Sequence, residues 1–255
     1  MRLSAQNNDT LKFKTQSVRL VGFGFPNVNY SLLSPLNYSG YSFNFDSNRF
    51  REKHEIFIQN HINTKLGLLY NDANDSYITS LGVNCGWSRH WRLNDKNRPL
   101  LILYGIGADA GIDAYMKEDN TNNPMAYFFN LSISPNILFK YRFNIKNTNL
   151  TLWQQIDLPL FSLVSSSDYA SSLPSGLMEE DASFFDAMQL VSLGQLKRCL
   201  TTTCIDINSQ RQQHKKMPVF RITYKFSGMN YNKSDATIKS AEHIFVFGAI
   251  FYLFK

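Results

Sequence analysis

Ser88 and His90 stand two residues apart in "GWSRHW", residues 86–91. On an extended strand that spacing turns both side chains to one face, and a hydroxyl beside an imidazole is the beginning of an acyl-transfer nucleophile. Asp109 and Asp113 also share strand parity, as do Glu55 and His61, and carboxylates near an imidazole can activate water for hydrolysis. Each grouping has a plainer reading as interior polar residues held in ion pairs. There is no glycine-rich phosphate loop and no zinc spacing, so neither a metal nor a cofactor is expected. Cys85, Cys199 and Cys204 leave at least one thiol unpaired. Cys199 and Cys204 fall on opposite faces of a strand, which argues against a structural disulfide. The net charge of +6 is spread along the chain, so no nucleic-acid partner is expected.

What would position these groups is a set of alternating strands. In "NLSISPNILFKYRF" (130–143) Leu131, Ile133, Pro135, Ile137, Phe139, Tyr141 and Phe143 face away from Asn130, Ser132, Ser134, Asn136, Leu138, Lys140 and Arg142. Over 54–70 the apolar set runs through Ile56, Ile58, Ile62, Leu66, Leu68 and Tyr70, opposite Glu55, Gln59, His61, Asn63 and Lys65. In 77–93, Tyr77, Leu81, Val83, Cys85, Trp87 and Trp91 oppose a face with Ser88, His90 and Arg92. In 218–227, Phe220, Ile222, Tyr224 and Phe226 oppose Arg221, Thr223 and Lys225. Further strands are expected over 12–24, 39–50, 99–116, 149–164, 188–207 and 241–255, with blurred alternation in 12–24 and 188–207. Helical periodicity is hard to find anywhere in the chain.

Several of these strands approach twenty residues, against about 3–10 in soluble proteins. At about 3.3 Å per residue and a 45° tilt, eighteen residues rise about 40 Å, enough to cross a bilayer. No apolar run reaches the roughly 18 residues of a transmembrane helix. Charged residues are 18% of the chain while Phe, Tyr and Trp make up 14%, a balance that suits a surface not wholly in water. An alternately apolar and polar strand of this length fits a wall between lipid and a polar lumen, and only closure satisfies its backbone without an edge. The expectation is an all-β, single-domain, antiparallel up-and-down transmembrane β-barrel of about ten strands, with 8–12 allowed, over 12–255. A soluble β-sandwich or lipocalin-like barrel is the alternative, with the apolar faces inward and Lys140 and Arg142 in water. Turn-rich breaks at 25–38, 71–75, 117–124, 165–187 and 231–240 would form one rim, and shorter ones at 51–53, 94–98, 145–148 and 208–216 the other. Residues 1–11 read either as the small-residue end of a secretion signal, in "LSAQ", or as an ordinary polar terminus.

The closing "HIFVFGAIFYLFK" resembles the last strand of outer-membrane barrel proteins, which is aromatic-rich and ends in Phe; here Phe254 is followed by Lys255. "SLLSPLNYSGYSFNF" (31–45) is similar to the N-terminal region of uncharacterised outer-membrane barrel proteins of Bacteroidetes-type bacteria. These resemblances imply location and fold, the outer membrane of a Gram-negative bacterium, and no activity. An even count of ten strands, with the short breaks on the inner rim, goes with both termini periplasmic.

On this frame the lumen is expected to hold Glu55, His61, Lys65, His90, Arg92, Asp109, Asp113, Lys140, Arg142, Arg221 and Lys225, with Gln59, Gln155 and Asp157. Ile133, Ile137, Phe139, Tyr141, Phe220, Ile222 and Tyr224 are expected to face lipid, with Tyr70, Tyr77, Trp87, Trp91, Tyr104, Phe143 and Tyr252 outward near the interfaces. Mixed charges across so narrow a bore should pair and plug it. The expected role is therefore non-enzymatic: a structural or accessory component of a cell-envelope complex, with outer-membrane lipid and a larger outer-membrane protein complex as partners. One alternative is a narrow channel for small polar or anionic solutes, favoured by the basic excess. The other is an outer-rim hydrolase. Outer-membrane phospholipases and lipid A deacylases use His and Ser two residues apart, which Ser88 and His90 reproduce in reversed order, and omptin-like proteases pair carboxylates with a His at the rim.

Overall fold

In the computed structural model the described residues are 14–31, 33–53, 55–95, 97–117, 125–146, 148–167, 188–209, 219–232 and 237–253. All regular structure among them is β. The segments are β1 (Lys14–Tyr30), β2 (Tyr38–Lys53), β3 (Ile56–Asn71), β4 (Ser76–Arg92), β5 (Leu100–Met116) and β6 (Met125–Ile145). They continue as β7 (Thr148–Asp157), β8 (Phe161–Ser166), β9 (Gln189–Ser192), β10 (Leu196–Ser209), β11 (Val219–Asn232) and β12 (Thr237–Leu253). Every pairing is antiparallel, and β1 pairs both β2 and β12, which closes the sheet. β7 and β8 lie end to end along β6, and β9 and β10 continue one another along β8 and β7, so the twelve segments make a ten-strand barrel.

The expected strands are all present, with shifted ends. β2 runs through 51–53, expected as a turn, and β3 begins at Ile56. β1 continues to Tyr30, which shortens the following loop to 31–37. The blur in 188–207 has a local cause: Leu193, Gly194 and Gln195 form a turn between β9 and β10, with Gln195 N donating to Ser192 O at 3.0 Å. In 149–164 the break is a bulge. Asp157 pairs with Asn136 and Phe161 with Ile133, so three residues of one strand oppose two of the other, with Pro159 at the centre. The signal-like residues 1–11, most of the 165–187 loop, most of 208–216 and the terminal Phe254 and Lys255 lie outside the described residues.

The barrel has an apolar exterior. Phe23, Ile133 and Phe220 are 59%, 51% and 57% exposed, and Phe43, Leu66, Leu81, Ile106, Ile112, Ile137, Tyr141, Ile222, Phe245 and Phe247 are exposed with them. Phe139 and Tyr224 also point outward, half-buried by their neighbours. So continuous an apolar surface suits hydrocarbon. Lys140, by contrast, is buried inside. Aromatic pairs mark both margins: Trp91 stacks on Tyr104 and Tyr141 on Phe143 toward the terminal rim, where the described chain begins and ends, and Tyr70 meets Tyr77 toward the far rim. Tyr252, expected outward, instead turns inward and packs against the buried apolar cluster at the terminal rim.

Candidate functional site

The bore departs from a uniformly polar lumen. Two buried apolar layers cross it, one near each rim, and most of the inward polar residues lie between them. At the far rim Tyr30, Tyr38, Leu69, Ile78, Tyr115, Phe128, Tyr231 and Ile238 form one cluster. Near the terminal rim Val18, Leu20, Phe50, Phe57, Leu101, Leu103, Leu138 and Trp153 form the other. Thus many inward positions at the strand ends are apolar too, which explains the blurred alternation of 12–24: Val18 and Leu20 point in while Val21, Phe23 and Phe25 point out.

The terminal layer is held by cations set against rings. The Lys140 ammonium lies 3.7 Å from the Trp153 ring centroid and 4.3 Å from that of Phe57. On Trp153 the Arg221 guanidinium also sits, at 4.6 Å, while Nε and Nη2 of the same group donate to the two Asp206 oxygens at 2.5 and 2.8 Å. A buried guanidinium with a bidentate carboxylate and an indole face is well compensated for its lost hydration.

Between the layers is a chamber of about 170 Å³ whose lining mixes polar and charged side chains with apolar ones of the terminal layer such as Leu20, Phe50 and Trp153, room for several waters. Lys65 bridges Asp113 at 2.9 Å and Glu242 at 3.3 Å, and Ser42 donates to Glu242 at 2.8 Å. His61 Nε2 stands 3.1 Å from Asp109 and 3.0 Å from Asn84 Oδ1. Asp46 receives Lys225 at 2.5 Å and Asn63 at 2.6 Å, and Gln155 donates to Asp157 at 3.0 Å. Glycines on β4 make the room. A Cβ on Gly86 would lie 2.2 Å from Asp109 Oδ1, and one on Gly82 would lie 2.5 Å from Asp113 Oδ1.

Of the residues singled out in the sequence, His61, Lys65, Asp109, Asp113, Gln59, Gln155, Asp157, Arg221 and Lys225 border this chamber. Lys140 belongs to the terminal layer; Arg92 pairs with Glu52 at 3.3 Å near the same rim. Glu55 and Arg142 are exposed at that rim and do not enter the lumen: Glu55 falls in the turn before β3, and Arg142 lies near the end of β6. Glu55 and His61 are thus not a pair; the structure gives His61 to Asp109 instead. Ser88 and His90 share the inward face, but His90 is wholly buried with its ring 5.7 Å from Phe57, and neither ring nitrogen nor Ser88 Oγ has a hydrogen-bond partner among the described residues. No base there addresses the hydroxyl. Sequence reasoning missed Asp46, Asp206 and Glu242. The phase of Ser42 and Asn44 in "YSFNFD" points to Asp46, and the phase of Phe245 and Phe247 points to Glu242; Asp206 was hidden by the turn at 193–195. Cys85 and Cys199 point outward and Cys204 inward, all free thiols.

A sequence-family profile described as "Protein of unknown function (DUF3316)" matches residues 1–255. The chain belongs to the DUF3316 family. No curated protein matches it in sequence. In structure this DUF3316 barrel is similar to the outer membrane protease OmpT from Escherichia coli, with a TM-score of 0.56 and 9% identity over 96% of this chain and 99% of that one. It also matches the transport unit of the autotransporter AIDA-I from Escherichia coli, at a TM-score of 0.49 and 10% identity over 99% and 93% of the two chains. A third match is the translocator domain of the autotransporter NalP from Neisseria meningitidis, at 0.43 and 5% identity over 96% and 90%. At such identities the OmpT likeness speaks for the fold alone: the DUF3316 chain has the fold of an outer-membrane β-barrel.

Proposed function

We propose that this DUF3316 protein is an integral outer-membrane barrel with a sealed bore, serving a non-enzymatic structural or accessory role in a cell-envelope complex. In this reading it sits in the outer membrane of a Gram-negative bacterium, of the Bacteroidetes type that residues 31–45 resemble, with both termini periplasmic and its exterior apolar belt in lipid. The observation that carries the proposal is the pair of buried apolar layers across the bore. A solute path must be wetted along its length, and two layers of packed rings and aliphatic side chains exclude water from both ends of the chamber. With the bore closed, the parts left to do work are the outer wall and the loops.

The chamber favours a second reading, a narrow channel gated by movement of the layers, since its polar lining includes Arg198, whose Nη1 has no hydrogen-bond partner among the described residues and could receive a small anion. Planar-bilayer recording separates the two. The sealed barrel gives no stepwise current in chloride or phosphate salts, whereas reproducible steps from the wild-type protein reject it in favour of the channel. Mild-detergent extraction from the native envelope is expected to recover an assembly larger than the monomer; a lone monomer under every extraction condition removes the accessory role.

A further inference from the structure

The distribution of sign over the outer wall is unlike that of the lumen. Inside, acids and bases are mixed and paired. Outside, no Asp or Glu stands on the outward row of any strand among the described residues; Lys197 and Lys239 stand there singly toward the far rim, while Arg19, Arg49, Arg51 and Arg89 all fall in one sector, β1–β4, toward the terminal rim. Register brings them together. Arg51 and Arg89 are both cross-strand partners of Ile58, which sets them two strand spacings apart in one row, about 10 Å. Arg49 is in the adjoining row, partnered by Ser17 and Asn60, and Arg19 donates to Ser47 Oγ on the same wall. The Arg89 guanidinium lies 5.2 Å from the Trp91 ring, and its Nε is buried without a hydrogen-bond partner among the described residues. Immediately beyond this patch on the same strands come Phe23, Phe43, Phe45, Ile62 and Leu66, all exposed.

We propose that this sector binds a membrane glycerophospholipid with a net negative headgroup, its phosphate held by Arg49, Arg51 and Arg89 and its acyl chains lying along the adjacent apolar belt. The proposal rests on the outer wall facing lipid, as in the preceding section. Like charges crowded on one sector at the edge of a low-dielectric phase repel one another unless an anion sits among them. Guanidinium groups present planar pairs of donors that match a phosphate, and Ser17, Ser47 and Asn60 add neutral donors to the same surface. Apolar belt below and cations above is the layout that a single phospholipid molecule complements.

The test is native mass spectrometry and thermal unfolding of the full chain released from nanodiscs of phosphatidylcholine alone, phosphatidylcholine with phosphatidylglycerol, or phosphatidylcholine with lipid A. Phosphatidylglycerol is expected to be retained over phosphatidylcholine and to raise the unfolding temperature, with the preference falling about fivefold for each of Arg49→Gln, Arg51→Gln and Arg89→Gln. Added inorganic phosphate should not displace it, because the belt contributes to holding the chains. Equal retention of both phospholipids, or an unchanged preference in the triple variant, overturns the site while leaving the barrel in lipid. Retention of lipid A alone overturns the assignment to a glycerophospholipid, and displacement by inorganic phosphate overturns the role of the belt. A chain that enters none of these bilayers overturns the lipid-facing wall and the site with it.

Discussion

Gly86 shows how much of the chamber depends on a missing side chain. Its Cβ would meet Asp109 Oδ1 at 2.2 Å and His61 Cε1 at 2.3 Å, so Gly86→Ala must push that pair apart. Gly107→Ala on β5 is the natural comparison, since its nearest neighbour would be Asn136 Nδ2 at 3.2 Å. Urea unfolding from lipid vesicles is expected to show a loss of about 1–3 kcal/mol for Gly86→Ala and a clearly smaller one for Gly107→Ala; equal losses would mean the pair does not fill that space. Asp206 carries a different kind of dependence. Asp206→Ala leaves the buried Arg221 guanidinium without its carboxylate, which costs about 3–5 kcal/mol. Replacing both, as Asp206→Leu with Arg221→Met, should recover most of that loss, because an uncompensated buried charge and not a missing contact dominates the single variant.

At the level of elements, the bulge between β7 and β8 keeps two halves of one barrel strand in phase with β6. Asp157 and Phe161 pair with Asn136 and Ile133, so the extra residue around Pro159 switches the inward phase from odd numbers in β7 to even numbers in β8 while both stay paired to β6. Inserting one residue beside Pro159 would either widen the bulge or shift β8 by one residue, and a shift turns Phe161 and Leu163 into the lumen and Ser162 and Val164 out. Deleting Pro159 leaves two residues opposite Ser134 and Pro135, so regular pairing can run from Asp157 to Phe161 with both registers kept. The expected result is a marked fall, for the insertion, in the fraction that refolds into the compact form resolved on cold gels, and near-normal refolding for the deletion; wild-type refolding by the insertion variant would show that the length of this segment has no part in register. The same reasoning explains why three-residue offsets in β8 to β10 were illegible beforehand: a periodicity of two read along a continuous strand loses its phase at each bulge or turn.

For the whole molecule the prediction concerns closure. The layers near the two rims are separate clusters with the chamber between them. Opening one should leave the other as a barrier. Phe50→Ala with Trp153→Ala in the terminal layer, or Tyr30→Ala with Phe128→Ala in the far layer, is expected to stay silent in planar bilayers, though each core truncation destabilises by about 3–5 kcal/mol. Only the four together should conduct, if the protein remains folded by circular dichroism. Conduction by either pair alone would assign the whole seal to one layer.

What the sequence determined by itself was the wall. Period-two alternation over strands too long for a soluble sheet required closure, and the side of Ile133, Phe139 and Phe220 followed from phase, because a strand's side chains alternate whatever it packs against. The inward places of Lys65, Asp109 and Arg221 followed in the same way, and Glu55 and Arg142 escaped it because they lie at the rim, where a strand's phase no longer encloses a side chain. Only the tertiary structure decided what meets across the bore. Lys65 reaches Glu242, 177 residues away, and Trp153 gathers Lys140 from β6 and Arg221 from β11. Such contacts depend on the barrel's circumference and on the level of each residue along its axis, set by register around every strand in turn, and no local pattern carries that sum.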